Sequence, residues 1–295
     1  MADFSTRLKE MRLRRGLRQK DLAIALGLAQ TTIANYEQKL RFPDEPTLVR
    51  IADYFSISLD QLLGRSDPSV DGVVGPGTDG ADELTPQALS YFDALRCHGV
   101  ETARESLRAA LAAGAGVREL YLGVIAPALR GVGRLWARGE MTVADEHMFS
   151  EASLQLMAQL LVGVDEPPER HGACLVQAVS GELHVIGARM VADFLSMEGF
   201  RVRFPAGNLS VGQTLALMRR EPPALVALSA TLAGHLNAVE DTIRAIRGDK
   251  QLSSTRIIVG GQAFDGSAGA FASIGADAFA ADAAQAVKTA LTLAP

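Results

Sequence analysis

Three groups of residues in this 295-residue chain have types and spacings suited to chemistry. The first lies in Ser180-Gly181-Glu182-Leu183-His184-Val185-Ile186-Gly187, where a carboxylate and an imidazole stand two residues apart. An imidazole can bind a metal through one ring nitrogen while a carboxylate holds the other. A histidine just past a strand is equally suited to a plain structural hydrogen bond. Ser229-Ala230-Thr231 follows after 41 residues, and Gly260-Gly261 after 28 more. The second group is Trp136, then nine residues, then Glu146-His147. Indole offers a broad flat face with one N–H, and a carboxylate accepts from hydroxyls. The same residues also suit a bundle core and a solvated helix turn. The third group is the polar run Gln30, Thr31, Thr32 and Asn35. A glutamine amide can pair with an adenine edge, and a threonine methyl can pack on thymine. Lys39 and Arg41 after this run are placed to meet phosphates. The plain alternative is a solvated face of a helical protein–protein module.

These groups need positioning elements. Apolar runs at 173–179, 200–204, 225–228, 256–259 and 278–280 alternate with helical patterns near 184–198, 211–221, 236–248, 265–273 and 283–293. Strand–helix alternation at this spacing predicts a five-stranded parallel sheet with helices on both faces. In such sheets ligands sit beyond the carboxyl ends of the strands, where Glu182-Leu183-His184, Ser229-Ala230-Thr231 and Gly260-Gly261 of the first group fall. Residues 84–165 read as helices, and 66–83 as a Gly/Pro/Asp/Ser linker. Residues 1–65 read as a small helical domain. Its first helix is expected over Phe4–Arg15, a second before Gly27, and a core of Leu22, Leu26, Ile33, Tyr36, Leu48, Ile51 and Phe55.

Composition narrows the classes. Charged residues make up 21% and hydrophobic residues 48%, which excludes a disordered polyelectrolyte and a fibrous protein. No apolar run reaches the ~18 residues of a membrane helix, and the N-terminus lacks the apolar stretch of a signal peptide. Cys97 and Cys174 form neither a disulfide framework nor a zinc spacing. The expectation is a cytoplasmic protein. Residues 1–66 carry 11 Lys/Arg against 8 Asp/Glu, so a basic head is joined to an acidic body in a chain of net charge −5. There is no G-x-x-x-x-G-K-[ST] phosphate loop, no G-x-G-x-x-G after the first strand and no G-x-S-x-G elbow, so no enzyme is expected.

Residues 6–64 resemble the phage-repressor, Xre/Cro type of helix-turn-helix. The resemblance rests on Leu17 through Gly27 and on Leu28 through Glu37. It implies that the helix bearing Gln30, Thr31, Thr32 and Asn35 enters the major groove of operator DNA, with Gln19 as a phosphate anchor. The tail motifs, acid-x-His-x-x-Gly, Ser-x-Thr and Gly-Gly, resemble the flavodoxin-like (Rossmann-type) cobalamin-binding fold shared by methionine synthase, mutases and light-sensing transcription factors. That resemblance implies that His184 ligates cobalt from the lower face and that Glu182 holds its other nitrogen. It further implies that Gly187, Ser229, Thr231, Gly260 and Gly261 receive the nucleotide tail. At position 182 Asp is the commoner family residue, and Glu resembles the regulator branch.

Residues 84–165 resemble the four-helix bundle that caps the corrin's upper face. Trp136 with Glu146-His147 resembles the adenosylcobalamin photoreceptors of the CarH type, and implies that these three residues line the upper pocket. Two departures stand out. Ala137 occupies the position where the light receptors carry a second histidine, which leaves His147 or water as the ligand after light. The head is Xre-like, where those receptors mostly carry a MerR-type winged head. The resulting expectation is a multidomain chain: a head at 1–65, a linker at 66–83, a cap at 84–168 and a cobalamin-binding α/β domain at 169–295. Its expected function is a light-responsive repressor using adenosylcobalamin, bound to double-stranded DNA as a homo-oligomer, dimer or tetramer. The alternatives are a haem or bilin tetrapyrrole sensor, and a corrinoid carrier for a methyltransferase.

Overall fold

The computed structural model describes residues 4–14, 17–55, 62–63, 84–165, 167–264 and 270–293. The chain divides into two compact units, Met1–Val73 and Val74–Pro295. The expected linker at 66–83 lies outside the described residues, as does Arg15 at the end of the first expected helix.

In the first unit, helices α1 (Phe4–Arg14), α2 (Gln19–Ala25), α3 (Gln30–Glu37) and α4 (Glu45–Phe55) enclose a small core. Leu8, Leu22, Ile33 and Ile51 are fully buried, with Leu26, Tyr36 and Phe55 around them and Leu48 at the edge. Gly27 has φ +64°, so the turn between α2 and α3 uses the left-handed conformation that glycine adopts without a Cβ penalty. Arg12 crosses from α1 to clamp α3. Its Nε and Nη2 donate to the two carboxylate oxygens of Glu37 at 2.6 and 2.9 Å, with both side chains nearly buried. Its Nη1 donates to the Leu17 carbonyl at 2.7 Å.

The second unit begins with four helical rods. The first is α5 (Pro86–Asp93) extended by a π-helical turn (Ala94–His98), and the second is α6 (Val100–Ala112). The third joins α7 (Val117–Leu120), a π-helical turn (Tyr121–Ile125) and α8 (Ala126–Ala137), and the fourth is α9 (Val143–Leu160). Their starts are written in local chemistry. Thr85 Oγ1 accepts from the Ala88 N–H with Pro86 in the first turn, and Thr142 and Asp145 exchange backbone and side-chain bonds as a capping box.

The sheet that follows has strands β1 (Ala173–Ala178), β2 (Arg201–Arg203), β3 (Leu225–Ser229), β4 (Arg256–Gly260) and β5 (Ala278–Ala280). All pairings are parallel and the order is β2-β1-β3-β4-β5. The intervening helices are α10 (Ile186–Met197), α11 (Val211–Arg220), α12 (Leu236–Gly248), α13 (Ala270–Ser273) and α14 (Ala283–Leu293). Of the helix expected at 265–273 only the last turn, Ala270–Ser273, is described; 265–269 lie outside the described residues. Side chains alternate across the sheet as strand geometry requires. Leu175, Val226, Leu228, Ile257 and Val259 face α11 and α12. Cys174, Val176, Leu225, Ala227 and Ile258 face the other way, into a core continuous with α10, α14 and the bundle. Every residue of β1 is buried, as befits a strand covered on both faces.

Bundle and sheet are joined at α10. The Tyr121 hydroxyl donates to Asp193 Oδ2 at 3.0 Å, the Tyr121 ring stacks on Phe194, and Arg189 Nε donates to Asp193 Oδ1 at 2.7 Å. Arg118 lies over the Phe194 ring and pairs with Glu198. Burial pushes the Asp193 carboxyl above its usual pKa, against the pull of Arg189 and Tyr121.

Candidate cofactor site and nucleic-acid interface

Strand order 2-1-3-4-5 reverses direction between β1 and β3, so a crevice opens beyond their carboxyl ends. Glu182 sits in that crevice. The chain leaving β1 is tied to β3 by the Val179 N–H on the Ser229 carbonyl at 3.1 Å, then turns so that the Glu182 N–H reaches Val179 O at 3.0 Å. The turn buries the Glu182 side chain completely. Its Oε1 accepts from the His184 backbone N–H at 2.9 Å and lies 2.5 Å from His184 Nδ1. Its Oε2 accepts from the backbone N–H of Thr231 at 2.8 Å and of Leu232 at 3.3 Å, and lies 2.8 Å from His235 Nδ1. One carboxylate thus bridges the ends of β1 and β3.

Burial alone would raise the Glu182 carboxyl's pKa. The bonds from the side chains of His184 and His235 and from the backbone of His184 and Thr231 outweigh it, and hold the group far below the usual carboxylate range. An ionised carboxylate only accepts, so the facing Nδ1 atoms carry the protons. His184 is raised in turn, chiefly by its hydrogen bond to Glu182 against the effect of burial, with the charges of Glu182 and of Glu146 adding to it. The Nε2 atom of His184 has no hydrogen-bond partner among the described residues, and its ring is half-exposed.

The remaining expected residues fall around this centre to different degrees. Thr231 touches Glu182 directly, and Ser229 closes β3 beside it. Gly187 is in the first turn of α10 with open space where a side chain would be. Gly260 and Gly261 have a role within the fold itself. A Cβ on Gly260 would meet the Ala280 carbonyl, and one on Gly261, at φ +99°, would collide with the Ala230 carbonyl. Close strand-end packing therefore already requires both glycines. Glu146, on α9, lies near enough for its charge to act on His184. It also accepts from Ser150 Oγ at 2.7 Å and lies 3.5 Å from His147 Nε2. Trp136, in the last turn of α8, is 39% exposed, so it is not bundle core. Large apolar side chains are exposed on both elements, Leu183 at 71% next to His184 and Met148 at 73% next to His147.

His235 escaped the sequence reading. Its signal was a histidine six residues beyond Ser229, in a chain with five histidines.

In the first unit, Gln30 and Thr31 are exposed at the start of α3, with Thr32 and Asn35 half-buried behind them. Lys39 and Arg41 are exposed just past its end, and Lys39 takes φ +63°. The Gln19 amide has a partner inside the fold: Nε2 donates to Glu37 Oε2 at 2.8 Å. The same carboxylate therefore orients Arg12, Gln19 and the recognition helix.

The chain couples a helix-turn-helix unit to a second unit of helical bundle and parallel sheet, and each part matches a known family. Residues 8–62 match the helix-turn-helix family, while 78–161 and 172–291 each match a B12 binding domain family. Among curated relatives, the HTH-type transcriptional repressor CarH of Myxococcus xanthus is 33% identical over 131 residues, 42% of this chain and 41% of the relative. The HTH-type transcriptional regulator ImmR of Bacillus subtilis is 38% identical over 63 residues, 21% of this chain and 50% of the relative. The chain thus spans half or less of the length of these relatives. Among solved structures, the monomethylamine corrinoid protein of Methanosarcina barkeri superposes with a TM-score of 0.61 at 22% identity, over 69% of this chain and 96% of that one. That likeness establishes the fold of the second unit. No helix among the described residues is long and apolar enough to cross a membrane.

Proposed function

We propose that the chain is a cobalamin-binding transcriptional repressor, with adenosylcobalamin and its photolysis setting the oligomeric state and, through it, the hold on DNA. The observation that carries the reading is the buried Glu182 carboxylate at the strand-order reversal, gripping His184 by Nδ1 and leaving Nε2 unpartnered. The donor set fits a corrin. It offers one unpartnered imidazole nitrogen for the metal, exposed apolar side chains in Leu183 and Met148, and open space at Gly187 for a tail.

In this reading His184 holds the lower face and Glu182 fixes its tautomer. Ser229, Thr231, Gly187, Gly260 and Gly261 border the path of the nucleotide tail. Trp136, Glu146 and His147 cover the upper face from the bundle, with Ala137 leaving no imidazole directly after the tryptophan. When bound, adenosylcobalamin supplies a carbon–cobalt bond that light breaks. In the head, Gln30, Thr31, Thr32 and Asn35 read bases in the major groove, and Lys39 and Arg41 meet phosphates. Gln19 reaches a phosphate only beside its bond to Glu37. A homodimer or tetramer places two heads at half-sites about 34 Å apart, so assembly raises affinity for DNA by linkage. The reading assigns no catalytic residue and a cytoplasmic location.

Gel filtration and gel shifts test it, using DNA duplexes selected by the protein from a random pool, with adenosylcobalamin in darkness and after green light. The expected result is a dark assembly that binds DNA and a smaller species that releases it after light, with both effects lost in His184→Ala. Identical elution and binding in every condition would remove the switch. Methyl transfer to a partner enzyme would support the carrier instead, and a Soret band in the purified protein the haem sensor.

A further inference from the structure

We infer that His235 is a positioning residue for the cobalt-ligating imidazole, acting through the second oxygen of Glu182. The inference rests on the cobalamin reading for its affinity arm only. The geometry is asymmetric. Oε1 of Glu182 serves His184 alone, through backbone N–H and Nδ1, while Oε2 takes Thr231 N–H, Leu232 N–H and His235 Nδ1. A carboxylate turns about its last bond unless both oxygens are held. The backbone donors on Oε2 come from one side, along the chain leaving β3. His235 supplies the remaining side-chain donor.

The mount of His235 is rigid. It ends a 3-10 turn (Ala233–His235) whose last N–H reaches the Leu232 carbonyl at 3.0 Å, and it leads directly into α12. That helix is fixed in the core by Val239, Ile243 and Ile246, all buried. The ring also lies against Gly181, where an added Cβ would stand 3.6 Å from His235 Nε2, so the loop after β1 has a glycine where it passes the second imidazole. His235 thus transfers the fixed position of α12 to Glu182, and Glu182 transfers it to His184. The functional consequence is a His184 ring whose Nε2 keeps one direction before any ligand arrives, which lowers the ordering cost of binding.

The test compares His235→Ala with His235→Asn, whose side-chain amide can place an N–H donor near the position of Nδ1. The first readout uses cobalamin-free protein: nitrogen-15 NMR of the imidazoles. A protected, strongly deshielded Nδ1 proton on His184 is expected in the wild type and His235→Asn, and is expected to be lost in His235→Ala. The second readout is spectrophotometric titration with aquocobalamin. His235→Ala is expected to weaken binding roughly 10- to 100-fold, with His235→Asn restoring most of it. Circular dichroism establishes that both variants fold, and His235→Asn keeps the test intact if His235→Ala does not. An unchanged His184 proton and unchanged affinity in His235→Ala overturn the inference, as does an Asn variant as impaired as the Ala variant. Absence of aquocobalamin binding by the wild type overturns the cobalamin reading instead, and the NMR comparison then decides the positioning role alone.

Discussion

Replacing Glu182 by glutamine is the sharpest perturbation of the site, because it keeps the shape and removes the charge. Five donors converge on the two oxygens. In Glu182→Gln one oxygen becomes an NH2 group, which must point either at the two donors of His184 or at the trio from Thr231, Leu232 and His235. At least two buried donors then lose their acceptor, and the others lose an ionic one. At about 1–2 kcal/mol for each abandoned donor, the loss is roughly 3 kcal/mol. Its pH dependence follows from the two shifts. Glu182 is held below its usual range, so its contribution is present above the unfolded carboxylate pKa of about 4.3 and fades as pH falls through the lower folded value. His184 is raised, so its contribution is complete below about 6.5 and fades as pH rises through the higher folded value. Both act together between those limits. The stability gap between wild type and Glu182→Gln is therefore expected to peak near pH 5.5 and narrow on either side. Urea unfolding followed by Trp136 fluorescence measures it. Trp136 is the only tryptophan, and its bundle shares a core with the sheet. A gap below about 1 kcal/mol at pH 5.5, or one that widens above pH 8, would refute the argument.

Three further substitutions probe the frame around the site. Arg12→Met strands the buried Glu37 carboxylate and is expected to cost the head about 3–5 kcal/mol, read as a lower unfolding midpoint and loss of DNA binding. Gly261→Ala meets both the positive φ and the Ala230 carbonyl, and is expected to yield insoluble or unfolded protein on expression, whereas Gly187→Ala, with open space around it, stays within about 1 kcal/mol of wild type by denaturant midpoint. Tyr121→Phe removes the hydroxyl that donates to buried Asp193 and is expected to lower the midpoint of the second unit by about 1–2 kcal/mol, with an unchanged midpoint counting against the contact.

What the sequence made legible follows the range of each interaction. The five strands emerge within a residue or two of their observed bounds, and for β1, β3 and β4 the reason is that parallel strands buried on both faces are short continuous apolar runs. The Glu182–His184 bond was readable because its partners are two residues apart and share one turn. His235 was not, since its contact with Glu182 spans 53 residues and depends on how the loop after β3 leaves the sheet. Tyr121 and Asp193 are 72 residues apart, and an acid on a helix face next to Arg189 reads as an ordinary surface pair until the bundle is docked on it. In the head, the resemblance implied Gln19 as a phosphate anchor, while the buried Glu37 drew its amide inward. The Gly260-Gly261 pair shows the reverse case. Its residues were singled out for a nucleotide tail, and the packing supplies a reason for them in strand-end geometry that no spacing argument contains.

Helix α10 ties the two halves of the second unit to a single lever. Its first turn carries Gly187 at the rim beside His184, and Asp193 lies six residues further on, about 9 Å along the axis. A helix of this length moves as a rod, because its backbone hydrogen bonds resist bending over three turns. Asp193 is held on one side by Arg189 from the same rod and on the other by Tyr121 from the bundle. A polar triad buried in an otherwise apolar contact fixes register closely, because a displaced rod carries Arg189 with Asp193 and parts the carboxylate from the Tyr121 hydroxyl alone. The seating of the bundle is therefore tied to the position of this rod through Tyr121 and Asp193. The polar contact of the bundle thus lies on the helix whose first turn also borders His184.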